Sequence, residues 1–142
     1  MEFKILTDSN EEIRELRYQA FVVEKNVSKN IEFDGKDSEY IHFCLYNDDA
    51  LVGCARGNKN GDALHIGRVA VRTDLRGRGY GKQLFKEIES FAKRMGLFRL
   101  ELGAIASAVD FYKKIGFFTV GDFYDEAGWP HINMIKETTD ND

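Results

Sequence analysis

Two hydrophobic periods succeed each other along this chain, and the switches between them mark its elements. Glu2-Phe3-Lys4-Ile5-Leu6 reads as an opening strand. Thr7, Asp8, Ser9 and Asn10 offer N-cap side chains, and Glu11 and Glu12 suit the positive end of a helix. Ile13, Leu16, Arg17, Ala20 and Phe21 then recur at helical spacing, ending near Glu24 or Asn26. Periodicity is lost from Val27 to Glu39. Composition makes that stretch a solvated acidic loop, with a wall of an acceptor site as the functional alternative.

Tyr40 to Tyr46 and Leu51 to Arg56 read as strands joined across Asn47-Asp48-Asp49, and Asn58 to Asp62 as a second turn. Leu64-His65-Ile66-Gly67-Arg68-Val69-Ala70-Val71 is a further strand, rich in β-branched residues. Leu84, Phe85, Ile88, Phe91, Ala92 and Met95 return to the helical period, and Gly96 is a C-cap candidate. Phe98, Leu100 and Leu102 alternate with Arg99, Glu101 and Gly103 as another strand. Ser107 is read as the cap of a helix carrying Val109, Phe111, Tyr112 and Ile115, which Gly116 ends. Phe117 to Phe123 and His131 to Ile135 read as closing strands around a loop from Tyr124 to Pro130, before a polar, frayed tail over 137–142. Hairpins followed by strand–helix–strand–helix–strand predict an α/β fold with a mixed, partly parallel sheet flanked by helices.

With 142 residues, 43% hydrophobic and 31% charged, the chain fits one globular domain spanning 1–142. A net charge of −4 without a basic face argues against nucleic acid as a partner. No apolar run spans a membrane and no signal-peptide pattern opens the chain, so a cytoplasmic location is expected. Cys44 and Cys54 fall on predicted strands without metal-ligand spacing and read as reduced core residues; no metal is expected.

Against the acidic background, Arg68, Arg72, Arg76, Arg78 and Lys82 concentrate positive charge and suggest one anion site. The turn Arg76-Gly77-Arg78-Gly79-Tyr80-Gly81 stands between a strand and a helix. There the free N–H groups of a helix start can meet a phosphate, and glycine lets the backbone approach it closely. A phosphate-binding P-loop requires Gly where Arg76 stands and Ser or Thr where Gln83 stands, and the dinucleotide fingerprint lacks its third Gly; both fail. An arginine–glycine RNA tail would be repetitive and disordered, and an ordinary turn needs fewer glycines.

Arg76-x-x-Gly79-x-Gly81 in this setting resembles the acetyl-CoA pyrophosphate loop of the GNAT N-acetyltransferases. Leu16-Arg17, Phe21 to Glu24, Gly67-Arg68-Val69, Leu102-Gly103-Ala104, Phe111-Tyr112 with Gly116-Phe117, and Pro130-His131 with Met134 extend the likeness to the small bacterial ElaA-like branch over almost the whole chain. The resemblance implies a sheet that splays after its central strand, with pantetheine pairing along Val69, Ala70 and Val71. It implies acetyl-CoA as co-substrate, its pyrophosphate held by Arg76, Gly77, Arg78, Gly79, Tyr80, Gly81 and Lys82. It also implies Tyr112 as the proton donor to the leaving thiolate.

The base stays open among Glu101, Glu32, Asp34, His42, His65 and His131, with His131 ranked first; water carrying the proton away is the further alternative. The expected partner is an amine, small or peptide-borne, and a homodimer stays open. Acidic residues at Glu32, Asp34, Asp37 and Glu39, and at Asp122, Asp125 and Glu126, suggest a cationic acceptor. Transfer of another acyl group, transfer to a hydroxyl, and a non-catalytic acyl-CoA sensor are the competing readings. Two departures from the branch, Ile105 where Gln is usual and Trp129 where smaller aliphatics are common, bear on the acceptor pocket.

Overall fold

Every predicted element is present in the computed structural model, which describes residues 1–138. The strands are β1 (Glu2–Leu6), β2 (Ile41–Asn47), β3 (Ala50–Asn60), β4 (Ala63–Val71), β5 (Arg99–Ile105), β6 (Phe118–Glu126) and β7 (Trp129–Glu137). The helices are α1 (Glu11–Arg17), α2 (Lys29–Glu32), α3 (Tyr80–Arg94) and α4 (Val109–Lys114). The strands form one sheet in the order β1-β2-β3-β4-β5-β7-β6, antiparallel throughout except between β4 and β5. No helix among the described residues is long and apolar enough to cross a membrane.

Helix α3 buries Leu84, Phe85, Ile88 and Ala92 against one face of the sheet, where Phe43, Leu64, Ile66, Leu100 and Met134 meet them. Gly96, at φ +72, closes α3 as the sequence predicts, bringing the Leu97 N–H back to the Ala92 carbonyl. The opposite face packs on α1 through Ile13 and Leu16, and on the turn after it through Ala20, over Cys44, Cys54 and Ala70. The Asn10 side chain caps α1 by accepting from the Ile13 N–H at 2.9 Å. Past Arg17 the helix widens into a π-turn over Tyr18–Val23, which the apolar spacing does not announce.

Several boundaries differ from the sequence reading. Strands β6 and β7 run on to Glu126 and from Trp129, so the expected loop from Tyr124 to Pro130 reduces to a two-residue turn at Ala127-Gly128, both at positive φ. The second turn tightens to Gly61-Asp62 between β3 and β4. Ser107 lies inside a 3₁₀ turn, and Ala108 rather than Ser107 stands at the N-cap of α4. The stretch 27–39 is folded, with α2 and a 3₁₀ turn at Asp37–Glu39. Glu137 pairs with Arg99, and Thr138 is buried with its hydroxyl donating to the Leu97 carbonyl, so these two residues are not frayed. The remainder of the predicted tail, 139–142, lies outside the described residues.

What folds the 27–39 segment is charge. Arg17 is 1% exposed; it donates through Nε to Glu32 at 2.7 Å, through Nη1 to Asp37 at 2.8 Å, and through Nη2 to the Glu32 carbonyl at 2.9 Å. Arg56, under the ring of Tyr40, donates to Asp34 and Asp37. Arg68 reaches Glu32 and Asp34. Three guanidinium groups thus meet three carboxylates, which is what makes burial of this charge tolerable.

Removing one member strands the others. Arg17→Met is expected to destabilise the fold by about 3–5 kcal/mol, and adding Glu32→Leu should recover much of that loss, as measured by denaturant unfolding. The network also sets acid stability. The hydrogen bond from Arg56 holds Asp34 far below the usual carboxylate range. Burial pushes Asp37 up, but bonds from Arg17, Ser9 and Arg56 outweigh it and leave the group lowered. Carboxylates lowered on folding stabilise the protein above their unfolded pKa, roughly 3.9, and that stabilisation is lost as pH falls through the folded values. Burial raises Glu32, the opposite sign, and offsets part of this. The melting temperature should therefore hold steady down to roughly pH 5 and drop below roughly pH 4, less steeply in Asp34→Asn.

Candidate active site

The β4–β5 pairing covers Ala63 to Ile66 against Arg99 to Leu102 and then ends. Beyond it the strands diverge, and a cleft of about 810 Å³ opens between them. Leu102, Gly103, Ala104 and Ile105 line one wall, and Val69, Ala70 and Val71 the other. The Arg72 N–H donates to the Val52 carbonyl, so the Val71 peptide groups face the opposite way, into the cleft. Nη1 of Arg76 bonds Glu24, while its Nε donates to the Val71 carbonyl at 3.2 Å. The Val71 N–H is left without a strand partner on the β5 side.

The opening end of the cleft is formed by the glycine-rich turn. Gly77 and Gly79 hold φ of +78 and +86, and a Cβ at either would meet nothing within 4 Å; here glycine serves the backbone conformation. At Gly81 a Cβ would come within 3.0 Å of the Phe111 ring, so glycine there serves packing between α3 and α4. Arg76, Gly77, Gly79, Tyr80, Gly81 and Lys82 line the cleft; Arg78 is exposed beside it.

The five cations of the expected anion site do not act as one group. Arg68 is turned to Glu32, Arg72 to Asp74 at 2.8 Å, and Arg76 to Glu24. Among the described residues, only Arg78 and Lys82 of the five have no hydrogen bond or ion pair. Likewise Glu32, Asp34 and Asp37 face arginines, so they are not free to draw in a cationic acceptor as the sequence suggests.

Tyr112 projects from α4 into the cleft wall, boxed edge-on by Phe85, Phe111 and Phe117. Burial pushes its phenol above the ordinary value, so the hydroxyl keeps its proton at any physiological pH. The aromatic packing explains the helical spacing, and the position on the cleft leaves the hydroxyl available to a ligand.

His131 lies on β7 opposite Ile105 and lines the same cleft. Its Nδ1 is 2.8 Å from the Trp129 carbonyl, which can only accept, so Nδ1 carries the proton and Nε2 of the neutral ring keeps its lone pair. Tyr124 stacks on the ring, and Glu126 approaches Nε2 at 3.8 Å. The other candidate bases are placed differently. His42 is buried beneath the 27–39 segment with Nε2 on the Asp37 carbonyl. His65, on the cleft, lies 3.5 Å from Glu101, which also accepts from Asn60. Sequence reasoning missed two fixings at the mouth: Trp129, whose indole N–H donates to the Lys25 carbonyl 104 residues away, and Glu24 on Arg76. No local pattern encodes such distant pairs.

Neither cysteine reaches the cleft. Both are buried beneath α1, and burial pushes the Cys44 thiol up to about 12. Among the described residues no group of His, Cys, Asp and Glu could hold a metal.

The fold is shared with proteins of known structure. The family model described as an acetyltransferase (GNAT) domain matches residues 6–138. Protein ElaA of Escherichia coli (strain K12) is 38% identical over 128 residues, covering 87% of this chain and 84% of its own. The crystal structure of Escherichia coli ElaA superposes with a TM-score of 0.82 at 32% identity, covering 96% of this chain and 99% of that one. An acyl-CoA N-acyltransferase from Pseudomonas aeruginosa superposes at 0.80 with 27% identity over 96% and 99% of the two chains. By its sequence across residues 6–138, the chain belongs to the GNAT acetyltransferases, enzymes whose acyl donor is acetyl-CoA.

Proposed function

We propose that this protein transfers an acetyl group from acetyl-CoA to an amine by direct attack within a ternary complex. The observation that carries this reading is the parting of β4 from β5, which leaves the Val71 N–H facing a cleft that ends at the glycine-rich turn. The residues present fit the donor. Amides of Gly77, Gly79 and Gly81, with Arg78 and Lys82, suit its pyrophosphate, and the open edge at Val69 to Val71 suits the amide-bearing pantetheine arm. Bound there, acetyl-CoA supplies an activated thioester carbonyl.

The chain then has three tasks. The Val71 N–H stabilises negative charge on the carbonyl oxygen as the amine adds. His131 Nε2 accepts the proton that the amine sheds, directly or through water. Tyr112 hydrogen-bonds the sulfur as the C–S bond breaks. Full proton transfer to a thiolate whose acid lies near 8.5 is uphill by more than about 2 kcal/mol for a phenol raised above 10, so its part is chiefly electrostatic. With both cysteines buried away from the cleft, no thiol is at hand for an acyl-enzyme. The cytoplasm, which keeps such thiols reduced, is the proposed setting.

Two experiments test this reading. Isothermal calorimetry should show acetyl-CoA binding, weakened by about 1–3 kcal/mol in Arg78→Ala. In Gly79→Val binding should be largely lost, because a β-branched residue resists φ +86 and blocks the approach of a ligand. Wild-type affinity in a folded Gly79→Val protein would overturn the assignment of the turn.

Against a panel of amines, with alcohols and other acyl-CoAs as controls, thiol release should need both acetyl-CoA and an amine. A protein that binds acetyl-CoA without turnover would be a sensor. Tyr112→Phe should lower kcat roughly 10- to 1000-fold with acetyl-CoA affinity unchanged. A wild-type rate, with chemistry rate-limiting, would reduce Tyr112 to a packing residue.

A further inference from the structure

Within the strands, Arg68 stands apart: it adopts a left-handed backbone, φ +49, in the middle of β4. The other non-glycine residues at positive φ among those described, Asn26, Asp48, Asp49 and Ala127, lie between strands and helices. The register shows why the conformation is needed. Arg56 faces Gly67 and Cys54 faces Ala70, so β3 advances one residue, Ala55, while β4 advances two, Arg68 and Val69. That is a β-bulge, and the left-handed position of such a bulge ordinarily falls to glycine. A long, charged, strained residue in its place must be held there by its surroundings.

The surroundings do hold it. Arg68 Nη2 donates to the Ile31 carbonyl at 3.0 Å, and Nε lies 3.2 Å from Glu32 Oε1 and 3.4 Å from the Glu32 carbonyl. Nη2 also approaches Asp34 at 3.6 Å. The segment it grips is itself fixed, because Arg17 holds Glu32 through its other oxygen. The bulge begins at Arg68, two residues past Ile66, the last residue of β4 to pair with β5. The side chain therefore clamps the strand at the point where it leaves its neighbour.

We infer that Arg68 is a positioning residue. Its grip on Ile31, Glu32 and Asp34 fixes the bulge, and the bulge aims the Val71 N–H at the thioester carbonyl. The 27–39 segment, which lines the cleft through Val27, Ile31 and Glu32, is thereby coupled to the strand proposed to hold the donor. This inference rests on the proposed acetyl transfer and adds a residue of the cleft lining that acts through the bulge rather than on the reacting atoms. It separates two properties that a merely structural residue would lose together. The glycine-rich turn lies beyond the bulge and binds the nucleotide end regardless of how the Val71 N–H is aimed.

Arg68→Gly is the informative variant, since glycine accepts φ +49 while the grip on residues 31–34 is lost. Its melting temperature should fall by less than that of Arg17→Met, because Glu32 keeps Arg17 and the strained φ is relieved. Its affinity for desacetyl CoA by calorimetry should stay near wild type, while kcat per folded molecule falls roughly 10- to 100-fold. Arg68→Lys, which keeps the charge and loses the fork, should recover part of kcat. In NMR spectra, Arg68→Gly should shift the amides of Val69, Ala70 and Val71 together with those of residues 31–34, with no ligand present. Wild-type kcat in Arg68→Gly, or a loss of kcat matched by an equal loss of folded protein, would overturn the inference while acetyl transfer stood. A wild-type protein that does not bind acetyl-CoA would overturn both.

Discussion

A backbone N–H or C=O buried without a partner costs about as much as a lost hydrogen bond, so a sheet cannot simply come apart in its middle. This one does, after Ile66 and Leu102, and much of the structure follows from that parting. The bulge turns β4 away, Arg76 takes the Val71 carbonyl, and the cleft admits solvent or ligand to what remains. The pantetheine arm proposed to lie there, with its own amide groups, would answer the same need as a missing strand. The site is thus a place where the fold is left incomplete in a defined shape, with β3 and β7 holding its two walls from behind.

Charge is handled in a related way. Most of the cations and carboxylates near the cleft are committed to one another: Arg17, Arg56 and Arg68 to Glu32, Asp34 and Asp37, Arg72 to Asp74, Arg76 to Glu24. Pairs of this kind add little net stability relative to apolar packing, but they fix geometry, because an unpartnered buried charge is far costlier than a misplaced methyl group. The long acidic segment 27–39, too polar to fold by hydrophobic burial, acquires its shape by this route.

Much of the architecture was legible in the sequence because it depends on local rules. The alternation through Leu64 to Val71, the helical recurrence from Leu84 to Ala92 and the stops at Gly96 and Gly116 each express a preference that neighbouring residues decide. The glycine-rich turn was legible for the same reason, and its likeness to a known loop carried the family with it. The pairing of Arg17 with Glu32 and Asp37 was not, since charged residues fifteen and twenty apart carry no sign of meeting. Nor was the left-handed turn at Arg68, because arginine does not advertise a bulge as glycine does. Ser107 shows the converse: a good capping side chain passed over because a 3₁₀ turn moves the helix start beyond it.

The short seam between β4 and β5 has a kinetic meaning as well. Strands β1 to β4 form one antiparallel group, its later members joined by tight turns, and β5 to β7 form another, yet four residue pairs are all that link the two within the sheet. The contact spans a crossover through α3, so its loop must close before the pairing returns any stabilisation. Local hairpins can form early, whereas the seam must await the docking of α3, whose Leu84 and Ile88 reach both groups through the shared core. On that order the cleft takes its shape late, and a seam of four residue pairs leaves it little local pairing to resist opening.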